Sequence, residues 1–362
     1  MNRVHNFCAG PCTLPESVVA ELADELPDFG DSGMSLIEMS HRDPVYDEVH
    51  HETMTLLREL CSVPDDFSIL LLQGGASLQF AMVPMNLLGD GRSGTAGYVV
   101  SGSWGKKAIA DAELVGGTYA AWTGADEGFR RMPTRDELTI EDNTRYLHVT
   151  SNETIGGIRL PDFYNLDVRQ VADMSSDYLT RPIPWDRFDV VYGGAQKNLG
   201  PAGLAVTFVH RSVLEATPGR LPAYLRFDTH ADNNSLANTP PVFAIWATGK
   251  VLRWIKQNGG VDGMQQRAAE RSTMVYDAID DSGGFYRSPV DAASRSHTNI
   301  VFRLPTEELE AKFLSEAETN QLMNLKGHRS VGGIRASIYN ALPTTSVTAL
   351  TGFMATFVAE NG

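Results

Sequence analysis

Cysteine is scarce in this chain. Cys8, Cys12 and Cys61 are all there are in 362 residues. An odd, unpatterned set makes no disulfide framework, and the spacing of Cys8 and Cys12 is not C-x-x-C, so neither a zinc site nor a dithiol is expected. Small buried residues in a reducing, cytoplasmic protein are the expectation. No apolar run is long enough to span a bilayer, and the opening M-N-R-V-H-N-F-C-A-G lacks the apolar core of a leader. Positive charge is also short: 30 Lys and Arg stand against 45 Asp and Glu, a net charge of -15. Such a field disfavours nucleic acid and anionic membranes, although an arginine cluster can reverse it inside a cleft. Internal repeats and low-complexity tracts are absent. So are the nucleotide signatures G-x-x-x-x-G-K-[ST] and G-x-G-x-x-G, and His50-His51-Glu52 is not H-E-x-x-H because residue 55 is threonine; no metal is expected. What is present is a 42% hydrophobic chain, enough for a substantial core.

In chain order the patterning alternates strand and helix. An extended arm, Asn6 to Pro11, precedes Thr13-Leu14-Pro15-Glu16, whose spacing predicts a capping box and a helix to about Leu26. Asp43-Pro44 predicts an N-cap with proline at the first helical position, and a helix to about Cys61. Apolar runs at 68–72, 98–102, 146–149, 168–173, 188–191 and 204–209 predict buried strands, with helices at 78–88 and from 103. This predicts an α/β fold, a mostly parallel sheet with helices on both faces. The polar motifs follow strands, which places them on one edge of the sheet. A helix at 242–258 closes at Gly259-Gly260. We expect a large domain over 15–258 and a smaller α/β domain from 1–14 and 259–362, with a helix to about Asp280, a strand at 298–304, a helix after Pro305 and a last helix near Thr344.

The turns carry the chemistry. Lys197 lies in V-V-Y-G-G-A-Q-K-N-L-G-P-A-G (190–203), between two apolar runs. A desolvated lysine there is a good amine nucleophile, while an exposed loop lysine has the same local pattern. Asp173 ends the preceding strand. An acid at one strand end and a lysine just past the next fit a pyridoxal phosphate site, the carboxylate pairing with the protonated pyridine nitrogen and the lysine forming the Schiff base. Asp173 alone also fits a helix N-cap. Gln73-Gly74-Gly75-Ala76-Ser77 joins a strand to a helix start and can cup a phosphate, as many α/β crossovers can. Trp104 sits at a strand-to-helix junction, where it can stack on a planar ring or pack in the core. His41 and Arg42 precede a helix N-terminus and suit an anion or a surface turn. Lys326 to Ser337 sets two arginines and a histidine amid glycines, an anion site or a basic hairpin.

Together these motifs resemble one family. N-F-C-A-G-P (6–11), S-H-R (40–42), Q-G-G-A-S (73–77), G-S-W (102–104), N-E-T-I (152–155), A-D-M-S-S (172–176), G-A-Q-K-N (194–198), A-N-T-P-P (237–241) and G-H-R-S-V-G-G-I-R-A-S (327–337) are similar to motifs of the phosphoserine aminotransferases, fold-type I pyridoxal phosphate enzymes, over essentially the whole chain. The resemblance implies pyridoxal 5'-phosphate covalent to Lys197, which also moves the substrate proton, and Asp173 on the pyridine nitrogen. It implies Trp104 stacked on the ring and Thr154 at its polar edge. Ala76, Ser77 and Gln196 would hold the phosphate, and Asn238 and Thr239 would reach it from the neighbouring subunit of a homodimer. Arg335 would clamp the substrate α-carboxylate, with His41, Arg42, His328 and Arg329 around the distal anion. The implied reaction exchanges the amino group between phosphoserine and 2-oxoglutarate, giving 3-phosphohydroxypyruvate and glutamate in serine biosynthesis, with 4-phosphohydroxy-L-threonine of vitamin B6 synthesis as a second substrate left open. One departure is Ser77, where another branch of the family carries arginine; the distal pocket is then one cation short. A desulfurase-type relative would need a cysteine in a later loop, and none follows Cys61.

Overall fold

The computed structural model describes residues 3–89 and 94–362. After β1 (His5–Asn6) the chain enters α1 (Glu16–Glu25). The expected capping box does not form. Pro15 stands at the N-cap with no side-chain cap, and the Thr13 hydroxyl donates instead to the Asn6 carbonyl at 2.9 Å. Asp43 does cap α2 (Pro44–Leu60), its Oδ1 accepting the Val45 N–H at 2.9 Å. β2 (Phe67–Leu72) turns through Gly74, in the left-handed region at φ 82°, into α3 (Gly75–Leu88). α3 therefore starts three residues before Leu78, because Gly74 and Gly75, both at positive φ, absorb the turn. β3 (Thr95–Val100) and α4 (Ser103–Glu113) follow, then β4 (Thr118–Thr123). Sequence patterning does not reveal β4: it lies at the sheet edge and its Thr-Tyr-Ala-Ala-Trp-Thr lacks the apolar run of a central strand.

β5 (Thr144–Thr150), the small hairpin of β6 (Asn152–Glu153) and β7 (Ile158–Arg159), β8 (Gln170–Asp173), β9 (Phe188–Gly194) and β10 (Ala205–His210) come next. α5 (Arg211–Glu215), α6 (Phe227–Asp232), α7 (Val242–Gln257), α8 (Gly260–Asp280), β11 (Asn299–Phe302), α9 (Glu307–Thr319), β12 (Leu322–Met323), β13 (Ile334–Ser337) and α10 (Thr344–Asn361) complete the described chain.

The main sheet has the order β2-β10-β9-β8-β5-β3-β4. β10 runs antiparallel to both neighbours, and all other pairs are parallel. The C-terminal ends of β2, β3, β5, β8 and β9 thus gather on one edge, where ligands of open α/β sheets bind. Strand side chains alternate between two apolar layers. Ile69, Leu71 and Val191 pack with Leu22, Leu57 and Leu252 of α1, α2 and α7. Leu70, Leu72, Val190 and Tyr192 pack with Phe80, Ala108 and Phe227 of α3, α4 and α6. A third apolar cluster joins Phe7 to Val275, Phe302, Phe313 and Phe357, and β1 pairs parallel with β12, so the chain's start packs on its end.

Candidate active site

Lys197 lies in the connection between β9 and the reversed strand β10. The turn is tight because glycines let it approach its walls. A Cβ on Gly193 would stand 2.5 Å from the Tyr178 ring, and one on Gly200 2.4 Å from Thr248 Oγ1. The exposed-loop alternative is gone: Lys197 is 8% exposed. Its Nζ donates to Thr154 Oγ1 at 2.6 Å. Burial lowers the ammonium to about 8, against the pull of Asp173 and Glu153 and with a further push from Arg335. The N-terminal arm closes the other side. Cys12 N–H donates to the Gln196 carbonyl at 3.0 Å, and its thiol reaches the Lys197 carbonyl. Cys8 and Cys12, expected to be buried, are half-buried, while Cys61 is buried. Burial pushes the Cys12 thiol up to about 12, which removes it as a nucleophile.

Behind Lys197 runs a directed polar chain. Thr154 Oγ1 donates to Ser176 Oγ at 3.1 Å, and Ser176 Oγ donates to the Asn152 carbonyl at 2.8 Å. Each hydroxyl has a single proton, so Thr154 can only accept from Lys197. Asn152 Nδ2 donates to Asn299 Oδ1 at 2.8 Å, Asn299 Nδ2 to Tyr339 Oη at 3.0 Å, and Tyr339 Oη to the Ala9 carbonyl at 2.9 Å. Arg335 Nη1, on β13, donates to the Thr154 carbonyl at 3.4 Å. Sequence reasoning missed Ser176, Asn152, Asn299 and Tyr339 as site-building residues. Asn152 and Ser176 stand inside recognised motifs; Asn299 and Tyr339 carried no signal, because only the folded sheet brings them near.

Asp173 is buried in register with Thr150 and Tyr192. Ser175 N–H (2.9 Å) and Ser175 Oγ (2.6 Å) both donate to its Oδ1. No helix follows for it to cap, and among the described residues nothing donates to Oδ2. Trp104, half-buried, has its ring centroid 5.4 Å from Lys197 Nζ and 4.3 Å from Lys107 Nζ, and its buried indole Nε1 has no partner among the described residues. Glu153, which sequence reasoning passed over, is fully buried beside them. Desolvation pushes its carboxyl up to about 7, opposed by hydrogen bonds from the Gly105 and Trp104 amides.

At the far end of the edge, the first turn of α3 presents the N–H groups of Gly75, Ala76 and Ser77 with no side-chain cap. Ala76 is half-buried and Ser77 exposed. Gln196 folds over Gly194, where an added Cβ would stand 2.5 Å from its Oε1, and no bond ties it to α3. Asn238 and Thr239 are exposed; Gln73 Nε2 donates to the Thr239 carbonyl at 3.1 Å, which holds this loop beside the α3 turn. His41 is half-buried with an unpartnered Nε2, and Arg42 is exposed. His328 is half-buried and Arg329 exposed. Burial and then Arg335, Arg329 and Lys107 lower the His328 imidazole, so cations collect at this mouth. Lys107 was not expected there. The structure therefore joins Lys197, Thr154, Trp104, Asp173 and Arg335 in one cluster; within one chain it makes no bond from that cluster to His41, Arg42, Asn238 or Thr239. The donor set fits a planar cofactor with a phosphate: an amine, a carboxylate with one open oxygen, an indole with an orphaned N–H and an uncapped helix start.

The family model for Aminotransferase class-V matches residues 4–350. The chain is 48% identical over 359 residues to the phosphoserine aminotransferase of Laribacter hongkongensis (strain HLHK9), with 99% of each chain covered. The solved structure of phosphoserine aminotransferase from Bacillus circulans subsp. alkalophilus is similar at a TM-score of 0.97 and 47% identity, with 99% of each chain covered. That of PLP-bound phosphoserine aminotransferase from Trichomonas vaginalis is similar at a TM-score of 0.93 and 34% identity, covering 98% of this chain and 100% of that one. Identity at this level from end to end, on one superimposable fold, means that the chain belongs to the class-V aminotransferase family, within its phosphoserine aminotransferase branch.

Proposed function

We propose that this chain is a homodimeric aminotransferase that holds pyridoxal 5'-phosphate covalently on Lys197 and moves the amino group of O-phospho-L-serine to 2-oxoglutarate, giving 3-phosphohydroxypyruvate and L-glutamate. The observation that carries it is the Lys197 amine: buried, lowered to about 8 and held 2.6 Å from Thr154 Oγ1. When bound, the cofactor supplies the electron sink that acidifies the substrate α-C–H bond. Lys197 Nζ takes the proton from that carbon and returns it on the far side of the reaction. The open Oδ2 of Asp173 keeps the pyridine nitrogen protonated. Trp104 covers the ring and excludes water. The Ala76 and Ser77 amides, with Gln196, hold the phosphate at the positive end of α3. Arg335 takes the α-carboxylate, and His41, Arg42, His328 and Arg329 take the distal phosphate or carboxylate.

Support for a second copy comes from exposed apolar side chains beside two segments of the site, one of the distal pocket and one assigned to the neighbouring subunit. Ile37 (51% exposed) and Val45 (36%) flank His41 and Arg42, and Phe243 (41%) follows Asn238 and Thr239. We assign the large domain to 15–258 and the small one to 1–14 with 259–362; the apolar cluster that unites Phe7 with residues 275–357 supports this. Among the described residues no helix is long and apolar enough to cross a membrane.

The test is the absorption spectrum of the purified protein with phosphoserine alone. Loss of a visible band with a gain in the near-ultraviolet is expected, since one half-reaction moves the amino group onto the cofactor. A band untouched by phosphoserine would overturn the substrate, and no band after adding pyridoxal phosphate would overturn the cofactor.

A further inference from the structure

Helix α4 begins without a cap of its own. Its N-cap, Gly102, has no side chain, and no local residue bonds the first amides. The cap comes from elsewhere in the chain. Glu153, on β6, places Oε2 3.0 Å from Trp104 N and Oε1 2.8 Å from Gly105 N, so both carboxylate oxygens accept helix amides. The residue is fully buried and forms no ion pair among the described residues. Glycine makes the room. A Cβ on Gly102 would lie 2.5 Å from Glu153 Cδ and 2.7 Å from its Oε2. The Gly102 φ of 178° is ordinary extended backbone, so glycine is needed there for space and not for conformation. A buried carboxylate is costly to keep without strong partners, and two amides at a helix N-terminus are such partners. On either side of Glu153, Asn152 is tied to Asn299 and Thr154 holds Lys197 Nζ.

We propose that Glu153 is a positioning residue of the aminotransferase: by capping α4 from β6, the strand that leads directly into Thr154, it locks the Trp104 ring in place over Lys197. This rests on the reading of Trp104 as the ring that faces the cofactor. Glu153 accepts hydrogen bonds from the Trp104 and Gly105 amides and makes none with Lys197, Asp173 or Arg335. It sets the distance between two walls of the site, one built by α4 and the other by β6.

The test measures the dissociation constant of pyridoxal 5'-phosphate from the refilled apoenzyme, together with the induced visible ellipticity of the bound cofactor. Glu153→Gln keeps the shape but turns one acceptor into a donor facing an amide. It should raise the dissociation constant about tenfold or more and reduce the ellipticity. Gly102→Ala displaces the carboxylate without changing any ionisable group and should do the same, so it decides the matter if Glu153→Gln fails to fold. The decisive readout is the cycle with Trp104→Phe. If Glu153 acts through Trp104, the double variant should bind no more than about twofold worse than the weaker single variant, whereas independent losses would multiply. Parent affinity and ellipticity in Glu153→Gln, or losses that multiply, would overturn the proposal while leaving Trp104's role intact. Parent affinity in Trp104→Phe would instead overturn the reading of Trp104 itself.

Discussion

The two ends of the site are built differently. Behind Lys197 a chain of buried groups is bonded within one protomer, from Thr154 through Ser176 and Asn152 to Asn299 and Tyr339. At the distal end Arg42 and Arg329 are exposed, and His41 keeps an unpartnered ring nitrogen. The Lys197 end is preorganised by the fold, where a low dielectric strengthens each interaction. The anion end is left open, where charges are screened until a ligand or a second copy covers them. An end that must do the same chemistry on every substrate is rigid. On the proposed function, the other end must accept both a phosphate and a carboxylate, and it holds charge with little shape.

The hardest way to break this contrast is at Lys197. Lys197→Ala should lower kcat by at least about 10⁴-fold, since nucleophile and proton carrier are lost together, while the protein still takes up cofactor without a covalent bond. Steady-state rates checked against cofactor content test this; a variant that kept a hundredth of parental turnover would refute the assignment. Arg335→Ala should cost on the order of 1.5–3 kcal/mol of charge-assisted binding, read as a rise in KM for both phosphoserine and 2-oxoglutarate. Arg42→Ala should also act on KM, and its effect should shrink as salt rises because the residue is exposed. Unchanged KM values for both substrates in Arg42→Ala would remove it from the distal pocket.

The same contrast explains what could be read from the chain alone. The strands that carry the site are apolar runs ended by glycine or a polar turn, so the sheet, α2 from Asp43 and the positions of Asp173 and Lys197 are legible. Their assembly on one edge follows from parallel topology. β4 is not legible, because an edge strand needs no apolar run. The Thr13 box is misleading, because its hydroxyl finds a tertiary partner in the Asn6 carbonyl. Glu153 escapes notice because a cap is sought one turn before a helix, whereas this one lies 50 positions further on, across the sheet edge. Asn299 and Tyr339 escape for the same reason: their partners are set by tertiary contact, for which local sequence has no period.

The smallest expected effect is the sharpest test of the comparison. On the proposed function the neutral amine of Lys197 is the group that attacks the cofactor aldehyde, so the rate of recombination of apoenzyme with pyridoxal phosphate should rise with pH and level off above about 8, the value to which burial lowers Lys197. Thr154 can only accept from Nζ, so its hydroxyl favours the charged ammonium. Removing it in Thr154→Val should move the midpoint down, by up to about one pH unit for a bond of about 0.5–1.5 kcal/mol. Arg42→Ala should leave the midpoint where it was, because no bond joins Arg42 to the buried cluster and exposed charge is screened. A parental midpoint near the ordinary lysine value would mean that Lys197 is hydrated in solution. A midpoint moved equally by both variants would mean that the two ends are electrostatically one.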